Sequence, residues 1–251
     1  LEILINSSKT MVSQPQPGLR KPALLAKARI LADLIKGFDQ AELRAMMHIS
    51  EKLAVETEAL LKGWSAAPRK QTLAIDAFQG DIYRGLKAQS LSESDRDWAD
   101  EHLRILSGLY GMVRPYDGIS PYRLELEYKL SGEGFANLYD FWGDAIAKKL
   151  AKRGWIVNLA SQEYFRAIGP FVKAERVIEP VFLSQMKAGK EPEFVAVHAK
   201  VARGAFARWL IQHRIDDPAE FPGFDGHDYA CAPESSTPTR PVFIKKLGGM
   251  P

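Results

Sequence analysis

The stretch Trp155-Ile156-Val157-Asn158-Leu159-Ala160-Ser161-Gln162-Glu163-Tyr164 decides the fold class. Residues 155–160 are almost all apolar, which reads as a strand covered on both faces at the centre of a sheet. Ser161 then has the chemistry of a helix N-cap, and Glu163 that of a first-turn acid. A buried strand feeding directly into a helix is a unit of α/β architecture. In such folds ligands bind beyond the carboxyl ends of the strands, which makes Asn158, Ser161, Glu163 and Tyr164 candidate site residues. Capping accounts for Ser161 and Glu163 equally well.

The flanking sequence completes a mixed α/β (α+β) domain. Residues 2–5 read as a second short buried strand. Pro22 opens a helix whose apolar positions Leu24, Leu25, Ala28, Leu31 and Ile35 recur at helical spacing until Gly37. Asp39 with Glu42 forms a capping box for the next helix, and Ser50 caps a third that ends near Gly63. Residues 71–78 fit either helix or strand, and the glycines at 80 and 85 interrupt the pattern. Ser92 with Asp95 opens a helix running to about residue 106. Residues 122–130 alternate, with Leu124, Leu126, Tyr128 and Leu130 on one face and Arg123, Glu125, Glu127 and Lys129 on the other, the pattern of a strand with one wet face. A helix is expected at 138–152, strands at 176–184 and 193–198, and a helix at 200–214. The segment 14–18 and the proline-rich tail read as loop, with a last strand near 242–246. Neither a linker nor an internal repeat interrupts the series, so the expectation is one domain over 1–251.

Composition narrows the function classes. The chain has 251 residues, 46% hydrophobic and 26% charged, which excludes bulk disorder and collagen-like order. A net charge of +3 permits an anionic partner without requiring one. The single cysteine, Cys231, allows no internal disulfide. No apolar run approaches the ~20 residues of a membrane span, and the first residues lack the basic region of a secretory signal. The expected address is the cytoplasm, with no membrane partner. His48, His102, His198, His213 and His227 are scattered without paired ligand spacing, so no metal is expected. The common glycine fingerprints for nucleotides are missing too, and no cofactor is assigned. Trp142, Trp155 and Trp209 sit in apolar stretches and read as core.

Two groups of residues point to anions. The run Ser107-Gly108-Leu109-Tyr110-Gly111, followed by Met112-Val113-Arg114, has the glycine spacing of a helix–hairpin–helix element over about 93–116. There the glycines allow a tight turn, and backbone amides opening the second helix meet a phosphate. A glycine C-cap is the competing account, and Pro115 shortens any second helix. The cations Lys9, Arg114, Arg123, Lys200 and Arg203 sit at element ends or on the wet strand face. On an ideal helix Lys200, Arg203 and Arg214 fall within about 60° of one another. They fit a phosphate-lined groove or a solvated, ion-paired face. Glu125 fits a general acid or base, or a salt-bridge partner of Arg123.

A resemblance sharpens these alternatives. Leu4-Ile5-Asn6-Ser7-Ser8-Lys9-Thr10 resembles the N-terminal Ile-Ser-Pro-Ala-Lys-Thr of the YaaA family of bacterial peroxide-stress proteins. Similar blocks follow in the same order: 77–86, 106–115, Pro121-Tyr122-Arg123-Leu124-Glu125, 138–143, 158–164 and 199–204. Ser7 and Ser8 replace the family's Pro-Ala, Asn6 replaces a serine, and the tail at 233–241 differs.

The resemblance implies a cytoplasmic protein that limits oxidative damage to DNA and protein, by keeping free iron low. It also implies a single mixed α/β domain with a helix–hairpin–helix element, a positively charged cleft and DNA as partner, with weak sequence specificity. Lys9, Arg123, Lys200 and Arg203 would then share the cleft with Asn6, Tyr83, Asn158, Ser161, Glu163 and Tyr164. A monomer suffices for one such cleft. The competing function is an enzyme of glycosylase type, acting on a nucleotide or damaged base with Glu125 or Glu163 as acid or base. A third is direct iron binding.

Overall fold

The computed structural model describes residues 1–16, 19–67, 71–187 and 189–246, so positions 17 and 18 of the expected loop at 14–18 lie outside the described residues. The first half contains β1 (Glu2–Asn6), α1 (Leu25–Lys36), α2 (Gln40–Met47), α3 (Glu51–Gly63), β2 (Thr72–Leu73), α4 (Ala74–Ala77), α5 (Asp81–Leu86), α6 (Glu93–His102), β3 (Leu103–Ser107), β4 (Gly111–Val113) and β5 (Gly118–Ile119). Then follow α7 (Leu138–Trp142), β6 (Ile156–Asn158), α8 (Gln162–Phe165), β7 (Val177–Ile178), β8 (Val181–Ser184), α9 (Ala196–His213), β9 (Tyr229–Cys231) and β10 (Val242–Lys245).

The main sheet has five strands in the order β4-β3-β1-β6-β7. β3, β1, β6 and β7 run parallel, and β4 folds back antiparallel at one edge. β1 is central because Ile3, Leu4 and Ile5 have no exposure at all, so both its faces are covered. Register sets Leu4 opposite Arg104 on one side and Asn158 on the other. A second sheet pairs β10 with β8 and β9, and β2 pairs with β5.

Three helix starts expected from the sequence are present with their caps. Asp39 and Glu42 form the reciprocal capping box of α2, Ser50 Oγ accepts the Leu53 N–H in α3, and Ser92 with Asp95 boxes α6. The ambiguous stretch 71–78 is both, strand β2 and then helix α4.

The helix–hairpin–helix expectation over 93–116 is overturned. Helix α6 ends at His102, and the chain passes straight into β3, a turn and β4, which is a β-hairpin. The cause lies in Arg104. Its guanidinium donates to the carbonyls of Asp100, Glu101 and Leu103, satisfying the open end of α6, and its Nε lies 2.8 Å from Glu2 Oε2 on β1. Ser107, Gly108, Leu109, Tyr110 and Gly111 are all buried, so none offers an amide to a phosphate in solvent. A Cβ at Gly108 would collide with the Leu124 carbonyl, which explains that glycine by packing. A short turn between two helices does occur elsewhere: His48-Ile49-Ser50 joins α2 to α3, with His48 left-handed at φ +52°.

Other departures have similarly local causes. Residues 122–130 alternate in burial as expected but pair with no strand, and Glu125 is buried rather than wet. The helix at 138–152 stops at Trp142 because Gly143 leaves the helical region. The strand at 176–184 divides around Pro180, which has no N–H to donate. Residues 193–198 make one bridge, Ser184 to Glu193, before α9 begins at Ala196. Trp142 is core, Trp209 is half-buried, and Trp155 is 40% exposed at the rim of the sheet.

Helices α5 and α9 cross at two glycines. A Cβ on Gly85 would strike the Val201 carbonyl oxygen, and one on Gly204 would strike that of Ile82. The two backbones therefore touch directly. Alanine ordinarily stabilises a helix interior by about 1 kcal/mol relative to glycine. Here the sign should reverse: Gly85→Ala and Gly204→Ala should each destabilise the chain by about 1–3 kcal/mol in urea unfolding, the cost of overpacking.

Candidate functional site

The carboxyl ends of β1 and β6 open onto a cleft of about 410 Å³. This is where a parallel sheet normally offers its ligand site, because the loops after adjacent strands diverge there. β1 delivers Asn6 and the loop Ser7-Ser8-Lys9; β6 delivers Ser161, Glu163 and Tyr164. α5 contributes Asp81, Ile82 and Tyr83, α9 contributes Lys200 and Arg203, and the extended segment after Pro121 contributes Glu125.

Asn6 ties the two strand ends together. Its side-chain carbonyl accepts the Ser161 N–H at 3.1 Å, its Nδ2 donates to the Ser7 carbonyl, and its own carbonyl accepts the Tyr83 hydroxyl at 3.0 Å. Ser161 has the extended dihedrals of an N-cap (φ −70°, ψ 160°), yet its side chain makes no cap bond. Its Oγ is buried without a hydrogen-bond partner, so capping does not explain this residue.

A band of hydroxyls surrounds Glu125. Ser7 Oγ lies 3.0 Å from the Tyr164 hydroxyl, and Ser107 Oγ lies 2.6 Å from that of Tyr122. Burial pushes the Tyr83, Tyr122 and Tyr164 hydroxyls up, so they stay neutral. Burial is also the main cause that raises the Glu125 carboxyl to about 7, with the nearby Glu163 adding to it. Lys9, the Tyr164 hydroxyl and Arg123 pull the other way. Glu163 is raised too, chiefly by burial, but its carboxylate accepts the Glu127 N–H at 3.3 Å.

The charge of the cleft is mixed. Lys9, Lys200 and Arg203 line it together with Asp81, Glu125 and Glu163, so both signs are present where a positively charged groove was expected. Lys200 and Lys9 are exposed, whereas Arg203 is half-buried and donates to the Ala160 carbonyl at 3.4 Å.

The remaining sequence-derived candidates divide clearly. Asn158 lies beneath the cleft with its side chain spent on Glu179 and the Ala160 N–H, so it supports the floor. Arg123 lies beside Glu125 and leaves its Nε buried without a partner. Arg114 belongs elsewhere: it pairs with Asp100 at 2.6 Å, in a cluster that also holds Arg20 and Asp117. Arg214 pairs with Asp95 at 2.8 Å. Ser7, Ser8, Gln79 and Asp81 line the cleft without having been singled out as site residues. The usable signal was Gly80, whose φ of +115° leads into α5 and whose Cβ would press on Ser8. Among the described residues no three His, Cys, Asp or Glu side chains gather to hold a metal, and no helix is long and apolar enough to cross a membrane.

Because the Glu125 carboxyl rises from its ordinary 4.5 to about 7, the folded chain holds that proton more tightly than the unfolded chain. This stability is complete below the unfolded value and is lost as pH climbs toward the folded one. The span corresponds to about 3 kcal/mol. Glu125→Gln should therefore leave stability near pH 4 almost unchanged and raise it by about 2–3 kcal/mol at pH 8, read from urea unfolding at both pH values.

Comparison with known proteins fits the resemblance read from the blocks above. A family model described as peroxide stress protein YaaA matches residues 1–235. A UPF0246 protein of Salinispora tropica is 47% identical over 250 residues, covering 98% of this chain and 95% of its own length. Another from Roseobacter denitrificans is 43% identical over 86% of each chain, and one from Ralstonia nicotianae is 38% identical over 97% of this chain and 98% of its own. With strand order, cleft and motif blocks all carried within the matched span, the chain belongs to the peroxide stress protein YaaA family.

Proposed function

We propose that the cleft serves an oxidative-stress role by taking one nucleotide unit, free or turned out of DNA, and by acting on its base through Glu125. The observation that carries this is a buried carboxyl raised to about 7, lining a polar cleft beside Glu163. Two carboxyls in unlike settings are the usual arrangement for one acid and one base. In a glycosylase-type reaction, protonated Glu125 gives its proton to the leaving base nitrogen as the C1′–N bond breaks. The Glu163 carboxylate takes a proton from the water that adds at C1′. Lys9, Lys200 and Arg203 would hold the phosphate.

Binding to duplex DNA is the second reading, favoured by the turn His48-Ile49-Ser50 between α2 and α3, in which His48 and Ser50 are exposed. It too would act in the cytoplasm, and control of free iron would be a consequence of the same stress role.

Anisotropy of labelled duplex, single-stranded and junction DNA across a salt series tests binding. Affinity should fall linearly on log–log axes, and Lys200→Gln/Arg203→Gln should reduce the slope by about 2. A flat salt response would count against DNA as partner. Release of free base from a duplex carrying one oxidised base, followed by chromatography, tests catalysis. Glu125→Gln should lower kcat by roughly 10²–10⁴ with little change in KM. Turnover that survives the double change Glu125→Gln/Glu163→Gln would remove the catalytic assignment.

A further inference from the structure

Helix α9 has two lined faces. Lys200 and Arg203 look into the cleft, while Val197, His198, Val201 and Ala202 lie roughly opposite on the helical wheel. There they wall a separate cavity of about 360 Å³, closed by Arg84, His227, Tyr229 and Lys245. No step proposed for the cleft uses it.

Its walls and its polar groups are of different kinds. Val197, Val201, Ala202 and the Tyr229 ring supply an apolar body. His198 Nδ1 lies 2.9 Å from Ser184 Oγ, which fixes the ring and leaves Nε2 without a partner among the described residues. The Tyr229 hydroxyl is buried beside the Ser184 hydroxyl, which is also engaged with His198. Lys245 makes no ion pair among the described residues, and exposed Arg84 shares Asp81 at 2.8 Å. At the rim His227 and Asp228 are both left-handed, at φ +56° and +63°, held by the Lys246 N–H on the Asp228 carbonyl at 3.0 Å. Such strain collects at ligand clamps. Burial, with Lys87 and Lys245 nearby, pushes the His227 ring down; Asp228 alone opposes this. The local field is positive.

We propose that this cavity binds a small carboxylate carried on an apolar body, such as an aryl or branched-chain acid. The carboxylate faces Lys245, Arg84 and His198 Nε2, and the body packs on Val197 and Val201. The apolar half of the lining favours an acid with an apolar body over an inorganic anion or a nucleotide, which would leave Val197, Val201 and Ala202 uncovered.

Benzoate titrated into the full chain, followed by the histidine ring resonances in NMR, tests this. Saturable shifts of His198 and His227 in the millimolar range or below are expected. Val197→Glu puts a like charge at the mouth, at an exposed first-turn position where an acid does not harm the helix. It should weaken benzoate roughly tenfold or more with the thermal midpoint unchanged, and Lys245→Gln should weaken it in the same direction. Benzyl alcohol should bind more weakly than benzoate, and inorganic phosphate should not compete. The proposal is overturned by the absence of saturable shifts, by Val197→Glu binding as well as wild type, or by phosphate displacing benzoate. None of these outcomes bears on the acid–base reading of the cleft.

Discussion

Parallel pairing of β1 with both β3 and β6 is the constraint on which the site depends. A strand paired in parallel on both sides sends all three chains out at the same edge, where β3 turns back into β4 while the chains leaving β1 and β6 close no hairpin with each other. The loops after Asn6 and Asn158 must therefore turn away from each other, and the gap between them becomes the cleft. Asn6 sets its width, since one side chain spans to the Ser161 amide while the carbonyl of the same residue receives Tyr83. The buried pair of Glu2 and Arg104 holds β1 to β3 at the opposite end of the strands, far from the chemistry. Removing either partner would leave an unpaired buried charge, which costs far more than the pair itself contributes.

The cleft is built to keep one carboxyl neutral without isolating it. Glu125 has around it the Tyr83, Tyr122 and Tyr164 hydroxyls, which are too buried to ionise, and Tyr164 offers it a hydrogen bond. Lys9 and Arg123 act on it without outweighing burial, and Lys200 and Arg203 complete the cationic lining. This division separates binding, which needs charge, from proton transfer, which needs a group poised near neutrality.

The architecture was legible wherever local chemistry and tertiary structure agreed. The apolar run 155–160 and the capping residues Asp39, Ser50 and Ser92 each act through neighbours in sequence, so reading them needed no partner. Failures came where a distant partner decided. Leu103 and Leu106 have helical spacing with the preceding residues, and only pairing with β1 and the fold-back of Arg104 turn that segment into a strand. The alternation at 122–130 reports burial faithfully, but no neighbouring strand is there to complete a ladder. Of the residues that line the cleft, Lys9, Lys200, Arg203, Glu125, Glu163 and Tyr164 were legible, because their side chains are chemically conspicuous. Arg114 was equally conspicuous but is claimed by Asp100, a partner invisible in sequence. Ser7, Ser8 and Asp81 were missed because small polar residues beside a turn look like the turn itself.

The crossing of α5 and α9 has a consequence for motion. Contacts between side chains can loosen by degrees as rotamers change, whereas two backbones in contact have nothing to rearrange. The pair is then expected to be either docked or apart, with its amides exchanging as one cooperative opening unit. Tyr83, Lys200 and Arg203 ride on that unit. On this reading the opening free energy of α5 and α9 would set how often the cleft loses one of its walls.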